Sequence, residues 1–335
     1  MSEEKRPHAQ QGNAEHEEVI QVLDLYQTRE KIQTRKLPGF FRDLRRWTWM
    51  PMLGVYFLLP WINLDGRQAV WFDLPARKFH VFWITFWPQD FMLLAWALII
   101  SAFALFTATV LIGRVWCGFS CPQTVWTMLF MSIEDFCEGD RNQRVKLDKA
   151  PWNANKIKKR GGKFVLWGLL AFITALTFVG YYNPIRDLVP ELFTFSAHPA
   201  AVFWTFFFGL MTFMNAGFLR EQVCMYMCPY ARFQSVMFDK DTLIVSYDSE
   251  RGEPRGARKK SDNHAAEGKG DCVDCSLCVQ VCPTGIDIRN GLQYECIDCG
   301  LCIDACDAVM DKMNYERGLI KFTTEHAMKH GETHI

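Results

Sequence analysis

Cysteine is the residue type with the clearest chemical pattern in this chain, because all of its 13 copies except Cys137 fall into short local clusters. Eight of them form two runs with the same spacing, C-x2-C-x2-C-x3-C. The first run is Cys272, Cys275, Cys278 and Cys282, and the second is Cys296, Cys299, Cys302 and Cys306. Clusters of this kind are typical of metal ligands rather than of a disulfide framework.

This spacing is the pattern by which bacterial two-cluster ferredoxins hold two 4Fe-4S clusters. Three thiolates two residues apart wrap one cluster, and the fourth cysteine of the run points to the other cluster. We therefore expect one cluster on Cys272, Cys275, Cys278 and Cys306, and the other on Cys296, Cys299, Cys302 and Cys282. Zinc also binds C-x2-C pairs, but it takes four ligands rather than eight on this crossed spacing. The sequence predicts a small α+β module that transfers electrons.

A second cysteine motif, C-x3-C-P, occurs twice, each time just past a long apolar run. Its four cysteines, called the membrane-edge cysteines below, are Cys117, Cys121, Cys224 and Cys228. On a helix, thiols spaced i, i+4 face the same side, and the following proline is expected to start or kink a helix. If the two halves pack together, four thiols converge, and thiolates suit a soft ion such as Cu(I). The duplication favours a catalytic metal or redox site here.

Two other interpretations of the membrane-edge cysteines stay open at this point. Free cysteines also pack as inert thiols in apolar surroundings, and the pairs could form a redox-active disulfide. Met225 and Met227 could add thioether ligands or simply pack, and Cys137 is interpreted as structural. Three acidic residues beside the motifs are interpreted as solvated helix ends: Glu134, Asp135 and Glu221.

The elements that must position these cysteines are long uncharged runs, since a helix needs about 20 apolar residues to cross a bilayer. Four such runs lie between Arg46 and Asp65, Asp90 and Arg114, Lys163 and Arg186, and Glu191 and Arg220. A fifth run, 115–133, contains polar residues and Pro122, and we expect a re-entrant or membrane-surface helix there. Half of the chain is hydrophobic and 14% of it is aromatic, as suits a membrane protein.

Charge distribution predicts how the chain is oriented. Lys+Arg and Asp+Glu are both 37, which gives no argument for a nucleic-acid partner. Segments 29–46 and 138–163 hold seven and nine Lys/Arg, whereas 64–89 and 184–199 hold three and one. Because positive loops mark the cytoplasmic side, we expect a multi-pass protein of the bacterial inner membrane with its N-terminus and cysteine-rich module in the cytoplasm. No signal peptide is apparent in the polar residues 1–40.

The predicted fold is a membrane α-helical bundle of about four transmembrane helices, with re-entrant or interfacial helices, joined to an α+β two-cluster ferredoxin-like domain. The expected boundaries are a cytoplasmic N-terminal segment at 1–46, a transmembrane domain at 47–238, a linker at 239–269, the ferredoxin domain at 270–322 and a polar tail at 323–335.

Long stretches outside the cysteines carry a family resemblance. LPWINLDGRQAVWFDLPARKFHVFWITFWPQDF (59–91), GRVWCGFSCPQTVWT (113–127), NAGFLREQVCMYMCPYARFQSVMFDKDTLIVSYDSERGEPRG (215–256) and GDCVDCSLCVQVCPTGIDIRNGLQYECIDC (270–299) resemble the CcoG/FixG/RdxA family of cytochrome oxidase accessory proteins. The resemblance covers roughly residues 26–325.

The resemblance implies a cytoplasmic-membrane protein that assembles cbb(3)-type cytochrome oxidase, working with its assembly machinery and with copper chaperones or transporters. The implied activity is reduction of Cu(II) to Cu(I), with the eight ferredoxin cysteines on 4Fe-4S clusters and the membrane-edge cysteines on copper. Members usually continue into a further span and an immunoglobulin-like periplasmic domain. Neither follows before Ile335, so the resemblance implies a fragment or a shortened form.

Two other functions fit the same motifs. The NapH family also pairs C-x3-C-P motifs with ferredoxin modules, which suggests an electron carrier that oxidises quinol. The other is a non-catalytic assembly scaffold whose clusters only stabilise the protein or sense redox state. The sequence does not identify the electron donor.

Overall fold

The computed structural model describes residues 32–260 and 268–330. Most of the N-terminal segment predicted at 1–46 and the end of the predicted polar tail lie outside the described residues.

The membrane part, residues 40–238, is mainly helical, because a helix pairs the backbone polar groups of its long apolar runs within the same segment. Its α-helices are α1 (Phe40–Leu58), α2 (Phe91–Ile112), α3 (Val115–Phe119), α4 (Pro122–Glu138), α5 (Arg141–Lys149), α6 (Ala154–Val179), α7 (Ile185–Phe193), α8 (Pro199–Thr212) and α9 (Pro229–Met237). Two π-helical segments, Phe213–Leu219 and Val223–Met227, connect α8 to α9.

Three segments of the described chain are long and apolar enough to cross a membrane: Pro88–Ile112, Ala154–Val179 and Pro199–Leu219. They correspond to three of the four predicted runs. The run 46–65 is not among them, because it begins within α1, whose first turns carry Arg42 and Arg45, and it ends in a short 3-10 turn at Leu59–Trp61. Three of the roughly four predicted crossings are therefore supported.

The core of the bundle lies where α4, α6 and the first π-helical segment meet. Phe130 and Trp167 are buried there with their ring centroids 5.4 Å apart, and the Trp167 indole nitrogen donates to the Phe130 carbonyl. Gly217 gives the chain room, since an added methyl group would lie 3.1 Å from the Trp167 ring. This packing fixes the start of the second C-x3-C-P motif relative to the helix that follows the first.

The segment between α1 and α2 forms two small antiparallel sheets at one end of the bundle. Their strands are β1 (Asn63–Leu64), β2 (Arg67–Gln68), β3 (Val70–Asp73), β4 (Lys78–Val81) and β5 (Ile84–Phe86). The buried Gln68 side chain donates to the carbonyl oxygens of Val70 and Gly180 and accepts from the Ile185 amide. These bonds attach the sheets to the end of α6 and the start of α7.

The cysteine-rich module is built around an antiparallel pair of strands, β6 (Ile244–Tyr247) and β7 (Ile320–Thr323), in the register Ile244 to Thr323 and Tyr247 to Ile320. Its helices are α10 (Ser249–Gly252), α11 (Leu277–Val281), α12 (Leu301–Met313) and α13 (Glu325–His330). Val245 and Tyr247 are buried in the same core as Cys272 and Cys278. The predicted linker at 239–269 is therefore wrong in its first part, because the apolar residues of β6 belong to the module.

Candidate iron-sulfur and thiol site

Two cavities in the cysteine-rich module are lined by four and by five cysteines, and each combines cysteines from both runs. One cavity is lined by Cys272, Cys275, Cys278 and Cys306. The second cavity is lined by Cys282, Cys296, Cys299 and Cys302. Cys278 also reaches the wall of the second cavity, so the two cavities are neighbours.

The two loops that supply these cysteines share an unusual backbone conformation. Asp274 and Asp298 follow the first cysteine of their runs at the same distance and have φ angles of 50° and 47°. Ser276 and Gly300 also match in position, with φ angles of 55° and 71°. Left-handed residues at equal positions turn each loop sharply, so that successive thiols line one cavity.

The burial of the thiols fits metal ligation. Burial raises the pKa of Cys278 to about 11, although the nearby Arg289 lowers it, and burial raises the pKa of Cys302 well above its usual value. As free thiols these groups stay protonated at neutral pH, whereas iron stabilises the thiolate directly. The two cavities, lined by thiols and apolar side chains, fit 4Fe-4S clusters.

The membrane-edge cysteines sit on two structurally similar turns. Cys121 and Cys228 are the N-cap residues of α4 and α9, each with extended backbone and each followed by the proline that starts the helix. The Cys121 amide donates to the Trp116 carbonyl at 2.9 Å, and the Cys228 amide donates to the Val223 carbonyl at 2.8 Å, five residues back in both cases. The proline therefore starts a helix, as predicted.

The idea that both thiols of a pair lie on one continuous helix is wrong. Cys117 lies in α3, which ends at Phe119, and Cys224 lies in the second π-helical segment. The second cysteine of each pair follows a break, because the proline that comes next disfavours helical backbone at the preceding residue.

The four membrane-edge cysteines lie within electrostatic reach of one another. Burial raises the pKa of Cys117 to about 12, and Cys121, Cys224 and Cys228 add to the rise. Burial likewise raises the pKa of Cys224 to about 11. Within the described residues, no three His, Cys, Asp or Glu side chains are close enough to hold a single metal ion. A bound ion at this site therefore needs the thiols to move together.

Two polar residues that the sequence did not single out support the first thiol. Gln234, which is fully buried in α9, accepts from the Cys117 thiol at 3.4 Å and donates to the Thr109 hydroxyl at 3.4 Å. The Tyr230 and Thr109 hydroxyls are 2.6 Å apart. Both residues follow the second motif in sequence, but Gln234 contacts Cys117 of the first motif and Tyr230 contacts Thr109 of α2, so only the packing of the two halves reveals them. Met227 is 62% exposed and does not pack in the core.

The first C-x3-C-P motif is in direct contact with one of the cluster-binding loops. A methyl group on Gly118 would lie 2.5 Å from the Ile297 carbonyl oxygen and 3.1 Å from the Cys299 Cα atom. The Arg114 amide donates to the buried Asp298 carboxylate at 2.9 Å, and the Val245 amide donates to its other oxygen at 3.1 Å. We therefore call Cys282, Cys296, Cys299 and Cys302 the proximal set, and Cys272, Cys275, Cys278 and Cys306 the distal set.

Glu134 is not the solvated helix end that the sequence suggested. Its side chain is fully buried, and its carboxylate lies 2.9 Å from Arg220, 3.4 Å from Arg144 and 3.4 Å from Lys163. Glu138 adds a 2.6 Å ion pair with Lys163. We call these five side chains the buried charge network. It ties the turn before Cys224 to α4, α5 and α6, which brings the two halves together.

Comparison with known proteins supports the iron-sulfur interpretation of the cysteine-rich module. A family described as "4Fe-4S dicluster domain" matches residues 219–325, and one described as "4Fe-4S binding domain" matches residues 94–132. No solved structure is significantly similar to the chain.

Three curated relatives are similar along most of the chain. "Nitrogen fixation protein FixG" of Rhizobium meliloti is 46% identical over 90% of this chain and 58% of its own length. "Protein RdxA" and "Protein RdxB" of Cereibacter sphaeroides are each 43% identical, over 92% and 93% of this chain and 66% and 67% of their own lengths. The chain thus spans about 58% to 67% of the length of these relatives. It is a membrane iron-sulfur electron-transfer protein and belongs to the CcoG/FixG/RdxA family.

Proposed function

We propose that this protein reduces Cu(II) to Cu(I) at the membrane-edge cysteines and that the copper serves the assembly of a cbb(3)-type cytochrome oxidase. The observation that carries the proposal is the contact of Gly118 with the backbone of Ile297 and Cys299. It brings a thiol pair suited to copper against the loop of a 4Fe-4S site. A thiol centre next to an electron source is the arrangement that a metal reductase requires.

The chemistry of copper reduction suits both kinds of cysteine. When bound, the 4Fe-4S clusters supply electrons one at a time, and one electron converts Cu(II) to Cu(I). Soft thiolates favour Cu(I), so the membrane-edge cysteines would retain the product. Copper is the substrate here. Because the thiols are protonated when empty, we expect copper binding to release protons.

The arrangement of the two cysteine sets supports a direction for the electrons. Cys275 of the distal set is exposed to solvent, whereas Cys299 of the proximal set is buried against the first motif. We infer that a soluble donor meets the distal side and that electrons leave from the proximal side. The cytoplasm supplies this donor if the orientation predicted from the positive loops is correct.

The partners in this proposal are those that the family resemblance implies. Copper chaperones or transporters would bring the ion, and the assembly machinery of the oxidase would accept Cu(I).

The central test is copper reduction by the purified protein in lipid vesicles. We expect the chemically reduced protein to convert Cu(II) to Cu(I), detected with a Cu(I)-specific chelator. Serine at Cys117, Cys121, Cys224 and Cys228 together should abolish the reaction and leave the iron content unchanged. The matched control is Cys137→Ser, because Cys137 is half-buried in α4 and lies outside both cluster sets.

The fourfold serine variant and a separate assay of oxidase assembly decide between the proposal and its alternatives. If the fourfold serine variant reduces copper at the normal rate, the copper role is wrong. If it loses iron, the membrane-edge cysteines hold an iron-sulfur cluster, which the description of the family matching 94–132 makes a specific alternative. If variants without clusters still assemble the oxidase fully, the protein acts as a scaffold.

A cavity next to the first motif favours quinol oxidation as the second candidate function. It has a volume of about 470 Å³ and lies between α1, α4, α6 and α8. Its walls combine aromatic rings with polar groups, which is a common composition for the site of a small ring compound. The lining includes Tyr56, Trp126, Phe208, Gln123 and Asn215. Cluster reduction that depends on added quinol would support this function over copper reduction.

A further inference from the structure

Arg45 of α1 is buried although nothing in the described chain pairs with part of its guanidinium group. The residue is 3% exposed, and its Nη1 atom is fully buried without a hydrogen-bond partner among the described residues. An unpaired buried charge is costly, so a native structure normally supplies it with an acceptor.

The position of Arg45 is fixed by the docking of α1 on the cysteine-rich module. The Asp304 carboxylate of α12 accepts from the amides of Phe41 and Arg42, at 3.2 and 3.0 Å, and so caps the start of α1. The Phe41 ring lies against Gly300, where an added methyl group would be 2.5 Å away. Arg45, one turn further along α1, shares a cavity wall with Pro283 and Leu301.

These neighbours put Arg45 beside the proximal set. Pro283 follows Cys282, and Leu301 lies between Cys299 and Cys302. Pro283 and Leu301 also line the cavity of the proximal set, so Arg45 lies directly behind the wall of that cavity.

The two cysteine sets differ in the balance of positive and negative groups around them. Beside the distal set, Arg289 is paired with two carboxylates, Asp274 and Asp287, and a third carboxylate, Asp307, directly follows Cys306. Beside the proximal set, the buried Asp298 accepts from the Arg114 amide at 2.9 Å, and the Arg114 guanidinium group donates to the Cys296 carbonyl at 3.4 Å. Arg45 then adds a positive charge that pairs with no carboxylate among the described residues, whereas Arg289 on the distal side is paired with two.

We propose that Arg45 is the hydrogen-bond donor and counter-charge of the proximal 4Fe-4S cluster, and that it raises the reduction potential of this cluster above that of the distal one. A reduced cluster carries one more negative charge, so a nearby cation stabilises the reduced form. Arg45 thereby draws the electron toward the membrane-edge cysteines. Arg45 does not carry the electron itself but favours its residence on the proximal cluster. This role rests on the proposed electron path from the distal to the proximal side.

The test is a redox titration of both clusters by EPR, in the full chain and without copper. Arg45→Gln should lower the potential of one cluster and leave the other unchanged. We expect the electron-sharing equilibrium to shift about tenfold toward the distal cluster, which for one electron corresponds to about 59 mV. Arg45→Lys retains the charge and should shift it less. The control is Arg46→Gln, because Arg46 is the exposed neighbouring arginine.

A second measurement begins with the wild-type protein and then compares it with Arg45→Gln. Protein labelled with ¹⁵N in its arginine side chains should show nitrogen coupling to both reduced clusters by pulsed EPR, because Arg289 lines the distal cavity. Arg45→Gln should remove the coupling from the cluster whose potential falls. Coupling at only one cluster in the wild-type protein, unchanged by Arg45→Gln, would overturn the proposal, as would equal shifts of both potentials. Because copper is absent, failure of copper reduction would leave this result intact.

Discussion

At the scale of single residues, Gly118 connects the two chemical parts of the molecule. The residue has room for hydrogen only, since a methyl group would lie 2.5 Å from the Ile297 carbonyl oxygen. We expect Gly118→Ala to push the first motif away from the proximal set at a cost of about 1–3 kcal/mol in the free energy of unfolding. Reoxidation of the reduced clusters by Cu(II), followed by stopped-flow absorbance, should slow at least severalfold while iron content is retained.

A second glycine provides the control for this prediction. Gly168 lies in α6, where an added methyl group meets nothing within 4 Å. Gly168→Ala removes backbone freedom from a helix interior and should leave the reoxidation rate unchanged. Equal rates in Gly118→Ala and the wild-type protein would show that the contact between the motif and the loop does not control electron transfer.

At the scale of helices, the buried charge network holds the two halves of the membrane part together. Glu134 of α4 has three cations around it, and all of these side chains are nearly inaccessible to solvent. Glu134→Gln removes the carboxylate that pairs with the buried Arg220, whereas Lys163 keeps Glu138 and Arg144 keeps Asp135. Because a buried positive charge loses its partner, we expect the free energy of unfolding to fall by about 3–5 kcal/mol. Chemical denaturation in detergent, monitored by circular dichroism, measures this loss.

An exposed ion pair tests whether charge removal as such has this effect. Asp311 and Arg317 lie 2.7 Å apart, with side chains 47% and 67% exposed. Asp311→Asn should leave the denaturation midpoint unchanged, because water screens such pairs. If Glu134→Gln behaves like Asp311→Asn, the network does not hold the helices together.

Hydropathy and cysteine spacing predicted the features that depend on nearby residues. The apolar runs became α2, α6 and α8, and the crossed spacing appears in the two cavities of the module. The sequence did not reveal β6, whose partner β7 is more than 70 residues away, or the burial of Glu134. Both depend on residues distant in sequence, which periodicity does not detect.

At the scale of the whole molecule, residues beside the cluster cysteines of the module contact the membrane part. Asp298 accepts from the Arg114 amide of the first motif, and Asp304 caps α1. Both carboxylates lie within two residues of a cluster cysteine. The conformation of these loops therefore determines how the module sits on the membrane part.

Removal of the clusters should consequently loosen the contacts between the two parts before it affects the helical bundle. Ferricyanide with a chelator strips the iron, and hydrogen exchange measured by mass spectrometry then reports each segment. We expect faster exchange at 40–48 and 113–121, because their amides lose fixed acceptors, and no change in 164–179, which packs against α4 and α8 instead. Faster exchange in all three segments would mean that the clusters stabilise the whole fold. Unchanged exchange at 113–121 would mean that Asp298 keeps its position without iron, and that the docking of the module is independent of its clusters.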